Sequence, residues 1–174
     1  VALPPENMSL YSAPSIPNIE ILTVSGGMRR QDSVLNAAKL VPHTADVVFI
    51  HDAARPLLRA GIVEELHSTA IKYGAAVPAL PCADTLKYVE DGQIHRTVDR
   101  SRLYGVQTPQ AFRRDIFDAM LKHYSSIEMT DDCSVAEIAL GLKPHIVTGS
   151  ARTLKITTPE DLRIVELMYR EEGF

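Results

Sequence analysis

The chain has 174 residues, 45% hydrophobic and 23% charged, with a formal net charge of -4. That length supplies one domain with interior enough for a real core, and the acidic balance excludes a broad basic face for nucleic acid or an anionic membrane. No apolar run is long enough to span a bilayer, no signal-peptide pattern opens the chain, and the two cysteines, Cys82 and Cys133, form no CxxC, so a reducing, cytoplasmic setting is expected.

The chain shows no repeat, low-complexity tract or linker. It starts at Val1, without a methionine, in "VALP", which reads as the tail of a strand. "IEILTVS" (19–25) reads as a strand, followed by a "GG" turn and a helix through "DSVLNAAKLV". "DVVFIHD" (46–52) reads as a buried strand, because its apolar run does not alternate. "AGIVEELHSTAIKYG" reads as an amphipathic helix with Ile62, Leu66 and Ala70 at four-residue spacing and Gly74 as its stop. "AAVPAL" is a further strand. Strand, helix, strand, helix, strand predicts an α/β domain, with a mostly parallel sheet covered by helices on both faces.

The rhythm then breaks. "DTLKYVEDGQIHRTVDR" holds two extended, alternating segments around Asp91-Gly92, a hairpin signal with nothing helical between them. Such a hairpin is an excursion from the sheet, suited to an arm reaching a partner subunit. "RDIFDAMLKHY" puts Ile116, Phe117, Met120 and Leu121 on one helical face. "DDCSVAEIALG" is a shorter helix and "PHIVTG" a strand. The last helix opens at "TPEDL", with Thr158 as N-cap, Pro159 at the first helical position, and Glu160 and Asp161 at the positive end of the dipole.

Several segments carry candidate chemistry. The apolar run Val47–Ile50 delivers His51, Asp52 and Arg55 at its tip, and ligands collect beyond the carboxyl ends of strands in open parallel sheets. A carboxylate there suits Mg²⁺, and Arg55 suits a phosphate; the bland alternative is a capped turn with Arg55 paired to Asp52. His51 reads as structural. "GGMRRQDSV" (26–34) joins a strand to a helix N-terminus, where Ser33 caps the helix or donates to a base. "RTVDRSRLYGVQTPQAF" gathers Arg96, Arg100 and Arg102 near Thr108 and Gln110, a candidate phosphate clamp. Lys155 falls on a short strand before the last helix, where it offers a point charge to an anion. "MTDDCSVAE" reads as a helix start capped by Thr130 or Asp131 rather than as a metal site. There is no nucleophile elbow, HExxH or clustered Cys/His set. Cations, one acid and small donors suit phosphoryl or nucleotidyl transfer, where positioning and charge neutralisation dominate.

In this order, "GGMRRQDSVLNA", "VFIHDAARPLL", "GAAVPALPCADTLK", "TVDRSRLYGVQTPQAF", "MTDDCSVAE" and "LKITTPEDL" resemble the 2-C-methyl-D-erythritol 4-phosphate cytidylyltransferase family of the non-mevalonate isoprenoid pathway. Ribitol-5-phosphate cytidylyltransferases share several of these patterns, but "HDAARPL" and "VPALP…DTLK" look more like the methylerythritol enzymes. The resemblance implies a Rossmann-like fold of the nucleotide-diphospho-sugar transferase type, as a single domain over 1–174 with a hairpin arm at 84–100. It implies transfer of CMP from CTP to methylerythritol phosphate with Mg²⁺, in a cytoplasmic homodimer joined through the arm. By motif, Gly27, Ser33 and the Met28 backbone would contact cytosine, and Ala53 would lie beside the ribose. Asp52 would meet metal, nucleotide and substrate, with Arg55 near the substrate phosphate and Lys155 and Thr108 holding it. Thr85 and Arg100 would reach the partner's site.

The family's opening strand, glycine-rich turn and helix have no counterpart before "VALP", so the 174 residues alone are expected to turn over poorly. A rival reading is a non-catalytic dimerisation or nucleotide-binding module of the same fold.

Overall fold

Two strands organise the molecule: β3 (Val47–Ile50) and β4 (Ala75–Pro81), joined by the helix α2 (Ile62–Tyr73). The computed structural model describes residues 1–127 and 129–172. Before β3 come β1 (Ala2–Leu3), a 3-10 turn at Pro5–Leu10, β2 (Val24–Ser25) and helix α1 (Arg30–Ala38). After β4 come β5 (Lys87–Glu90), β6 (Gln93–Thr97), β7 (Tyr104–Val106), β8 (Gln110–Arg113), α3 (Arg114–Leu121), α4 (Asp132–Leu140), β9 (His145–Thr148) and α5 (Pro159–Glu172).

The crossover β3–α2–β4 skips one place in the sheet, and β8 fills it. Phe112 pairs with Val48 on one side and with Ala75 on the other, antiparallel to both strands. β7 continues along the far half of β4, while β9 runs parallel to β4 on its other edge. β3, β4 and β9 therefore share a direction, as an α/β sheet requires, and the 104–113 run passes between them the opposite way. That insertion was not expected from the alternating elements, because it depends on pairing between residues far apart in sequence.

The pleat sends alternate residues to opposite faces, and each face has its own core. Val48, Ala75, Val77 and Phe112 pack with Phe117, Met120, Tyr124, Val135 and Ala136 from the α3–α4 side. Ala76, Ala111 and Val147 pack with Ile62, Leu66 and Ala70 of α2. The four-residue spacing along α2 thus buries the stripe that the sequence predicts, and Gly74 ends the helix at φ 93°. Burial of a side chain such as Leu66 contributes about 1.5–3 kcal/mol. Helices do cover both faces.

Other expectations are corrected. The 19–25 run is not a continuous strand: only Val24–Ser25 pairs, with Ala2–Leu3, and Ile19 makes an isolated bridge to Ile16. Pro14 and Pro17 withhold donors before it and Asn18 turns at φ 61°, so most of the run has no partner to extend along. The strand expected at 46–52 is trimmed to Val47–Ile50, of which Val48 alone is buried. Its second edge pairs with no strand among the described residues. Lys155 does not lie on a strand but in an extended stretch, tied down by Ile156 N–H donating to Ala54 O at 2.8 Å. Helix α1 starts at Arg30 rather than Asp32 and stops at Ala38. Asp32 turns back to accept from Arg29 N–H at 3.1 Å, which fixes that start.

The hairpin stands apart. β5 and β6 pair only with each other, every residue in them is exposed, and Asp91 and Gly92 turn at φ 48° and 76°. Two successive positive φ values are what a tight two-residue hairpin turn requires.

Helix α5 is capped reciprocally. Thr158 Oγ1 accepts from Asp161 N–H at 3.2 Å, and Asp161 accepts from the Thr157 hydroxyl and from the Thr157 and Thr158 N–H groups. These donors hold the Asp161 carboxyl at about 2, below its ordinary 3.8. A depressed folded value stabilises above the ordinary value and is lost as pH falls through it. Asp161→Asn should therefore lower the urea midpoint at neutral pH, and the gap to wild type should narrow between pH 3.8 and about 2. A gap that is constant with pH would show that the carboxylate form does not hold the cap.

Candidate active site

The chain leaves β3 at Ile50 and turns at once, with Arg55 N–H donating to Asp52 O at 2.9 Å. Three cations converge on the Asp52 carboxylate: Lys155 Nζ at 3.0 Å, Arg30 Nε at 3.6 Å and Arg55 Nε at 3.7 Å. Each comes from a different part of the fold. Arg30 opens α1, Arg55 lies three residues along the same turn, and Lys155 precedes α5. Arg55 is anchored by Nη1 donating to Thr153 O at 2.8 Å. Arg30 also reaches Asp132 at the start of α4, a wholly buried carboxylate that accepts from Tyr124 Oη at 2.7 Å. The turn is pinned from below by Thr108, whose Oγ1 accepts from Asp52 N–H at 3.0 Å and lies 3.0 Å from His51 Nδ1.

Burial opposes ionisation of Asp52, but the hydrogen bond from Lys155 and the charges of Arg30 and Arg55 outweigh it and hold the carboxyl below its ordinary value. Partial burial pushes the His51 imidazole down against the hydrogen bond to Arg55 O. Arg55 Nε is buried and makes no hydrogen bond. Three cations face two acids, Asp52 and the buried Asp132 that Arg30 also pairs with, so the cluster carries one surplus positive charge.

Two hollows meet at Ser33. One, of about 440 Å³, is lined by Ala2–Glu6, Gly26, Gly27, Met28 and Ser33. The other, of about 610 Å³, runs between α1 and β3 past Arg30, Ser33, Asp52 and Ala53. Ser33 does not cap α1; its hydroxyl accepts from Gly27 N–H at 3.0 Å and folds the glycine turn over the helix start. A Cβ on Gly27 would fall 2.2 Å from Asp32 Cβ, so only glycine allows that approach. Met28 is fully exposed.

A family model described as 2-C-methyl-D-erythritol 4-phosphate cytidylyltransferase (IspD) matches residues 1–171. The chain belongs to that family. A bifunctional IspD/IspF enzyme of Desulfotalea psychrophila is 38% identical over 167 residues, which cover 96% of this chain and 42% of the relative. A 2-C-methyl-D-erythritol 4-phosphate cytidylyltransferase of Syntrophus aciditrophicus is 42% identical over 154 residues, covering 86% of this chain and 65% of the relative. The chain thus spans less than two thirds of the length of these two relatives. The crystal structure of 2-C-methyl-D-erythritol 4-phosphate cytidylyltransferase from Thermus thermophilus superposes with a TM-score of 0.81 at 33% identity, over 97% of this chain and 80% of that one.

Within this member of the cytidylyltransferase family, Asp52, Arg55, Lys155 and Thr108 come together as one cluster. Gly27, Met28 and Ser33 gather at the adjoining hollow, and Ala53 lines the larger one beside Asp52. Thr85 and Arg100 do not join them; both are exposed and flank the hairpin. No group of three or more His, Cys, Asp or Glu that could hold a metal occurs among the described residues. The sequence reading does not single out Arg30, nor its pairing with Asp132. The signal for Arg30 was available: it lies four residues before Val34 and eight before Ala38, so helical spacing puts a cation on the cleft-facing stripe of α1. Asp132 was read as dipole chemistry, and only its buried partners reveal the ion pair.

Asp132→Asn removes the nearer counter-charge of Arg30, which is 37% exposed and still faces Asp52, and should cost about 1–3 kcal/mol of unfolding free energy, read from urea denaturation. A loss below about 1 kcal/mol would be no more than an ordinary hydrogen bond contributes, and would assign Asp132 no ion-pairing role.

Proposed function

We propose that the protein transfers the CMP group of CTP to the phosphate of 2-C-methyl-D-erythritol 4-phosphate and releases pyrophosphate. The observation that carries this reading is the convergence of Arg30, Arg55 and Lys155 on Asp52 at a strand end, in a chain of this family. A phosphate monoester has a second pKa of about 6, so at neutral pH it is largely a dianion and needs no protein base. One of its oxygens attacks the α-phosphorus, and the α–β anhydride bond breaks with its electron pair leaving on pyrophosphate. The obstacle is repulsion between anions, about 4 kcal/mol per unit-charge pair at ~4 Å and an effective dielectric of about 20. Lys155 and Arg55 offset it and hold the attacking oxygen in line. Gly27, the Met28 backbone and Ser33 hold the base, and Ala53 lies beside the ribose.

Asp52 fits a hard cation in one way only. It offers a single carboxylate, which suits Mg²⁺ when nucleotide phosphates complete the shell. Bound there, Mg²⁺ would neutralise charge on the triphosphate. The exposed arm makes a homodimer, with Thr85 and Arg100 reaching the partner's substrate. No helix among the described residues is long and apolar enough to cross a membrane, and the free thiols of Cys82 and Cys133 suit the cytoplasm.

Pyrophosphate release from Mg·CTP, followed with methylerythritol phosphate and with ribitol phosphate, tests the reading in the protein that carries these residues. Turnover with methylerythritol phosphate is expected, and Lys155→Met should lower kcat by about 100-fold or more. Preference for ribitol phosphate would reassign the substrate, and nucleotide binding without pyrophosphate release would mark a binding module. For the arm, Arg100→Ala should raise KM for the sugar phosphate far more than for CTP; equal effects on both would remove Arg100 from the substrate site.

A further inference from the structure

His51, at the strand end beside Asp52, is held on both ring nitrogens, yet the proposed chemistry makes no use of it. Its Nε2 lies 3.0 Å from Arg55 O, and its Nδ1 lies 3.0 Å from Thr108 Oγ1. A carbonyl oxygen only accepts, so Nε2 carries a proton, and in the neutral tautomer that this fixes Nδ1 is the acceptor. Thr108 must then donate its single hydroxyl proton to Nδ1, while its oxygen accepts from Asp52 N–H at 3.0 Å. The donors run in one direction: Asp52 N–H to Thr108, Thr108 to His51, His51 to Arg55 C=O. The relay starts and ends on the backbone of the two residues whose side chains carry the opposite charges of the site. Thr108 is also only 5% exposed.

We propose that His51 is a positioning residue that, through Thr108 and the Arg55 carbonyl, locks the 51–55 turn so that Asp52 and Arg55 face the substrate together. Thr108 is then its partner in the lock. The inference rests on the reaction proposed above, but one measurement stands apart from it. In the unliganded wild-type protein, ¹⁵N-detected imidazole NMR should show His51 with Nε2 protonated and Nδ1 bare. A protonated Nδ1 would overturn the relay whatever the enzyme catalyses.

The kinetic arm uses replacements that keep one half of the lock. His51→Phe, which keeps a ring and loses both bonds, should lower kcat by about 10–100-fold, the range for a supporting hydrogen-bond partner, with the larger effect on kcat rather than KM. His51→Asn places an acceptor near the Nδ1 position, and His51→Gln a donor near the Nε2 position; each should recover part of the loss. Thr108→Val should match His51→Phe, and the double variant should be no slower than the slower single one, because coupled residues are not additive. Thermal unfolding of each variant separates loss of the lock from loss of the fold. A Thr108→Val enzyme with raised sugar-phosphate KM and unchanged kcat would overturn the proposal, as would multiplicative effects in the double variant. Absence of turnover in the wild type would overturn the reaction itself and leave the relay to be decided by the imidazole spectrum.

Discussion

One acid surrounded by three bases is the constraint on which the site depends. Arg30, Arg55 and Lys155 could not stand this close together in a partly buried place without a counter-charge, and Asp52 supplies it. The carboxylate therefore keeps the cations assembled before any ligand arrives. The same arrangement leaves surplus positive charge, because the second acid near Arg30 lies wholly buried at the start of α4. A cluster held by a minority counter-ion is organised and still attractive to anions. In the proposed transfer it would require little rearrangement on binding, which is where preorganised charges gain over water.

The rest of the fold explains how four distant segments reach that point. β8 lies between β3 and β4, so the residues just before it sit under the end of β3, and Thr108 can bond to the Asp52 backbone. The Asp131 cap of α4 accepts from Ser134 N–H and from Gln110, and this sets Asp132 toward Arg30. Thr153 O and the Ile156 N–H bond to Ala54 bring the stretch before α5 against the turn, and Lys155 is carried with it. The tertiary core builds the frame, and a few long-range backbone bonds set the last ångström.

Legibility in the sequence followed the range of the interaction. Asp52 and Arg55 were readable because an apolar run that ends in charge marks a strand tip, a local pattern. Lys155 was readable as a lone cation among apolar neighbours, although its strand was not there. The Asp91-Gly92 turn and the caps at Asp131 and Thr158 are also local, and each formed as the residue types demand. What escaped was non-local. The run at 19–25 has strand composition but, for most of its length, no partner. The place of β8 depends on pairing between Phe112 and Val48, which no neighbouring residue announces. His51 looked like an ordinary strand-end imidazole because its second partner is 57 residues away.

The root of the hairpin arm has its own consequence. β4 and β7, the strands on either side of it, pair with each other up to Pro81 and Tyr104, and Cys82 N–H donates to Leu103 O at 3.0 Å just beyond. The excursion thus leaves and re-enters the body through a closed gate. Residues inserted or removed at its tip do not change the register of β7, nor the placement of Thr108 beneath the turn. The length of the arm is thereby separated from the alignment of the residues beneath the turn.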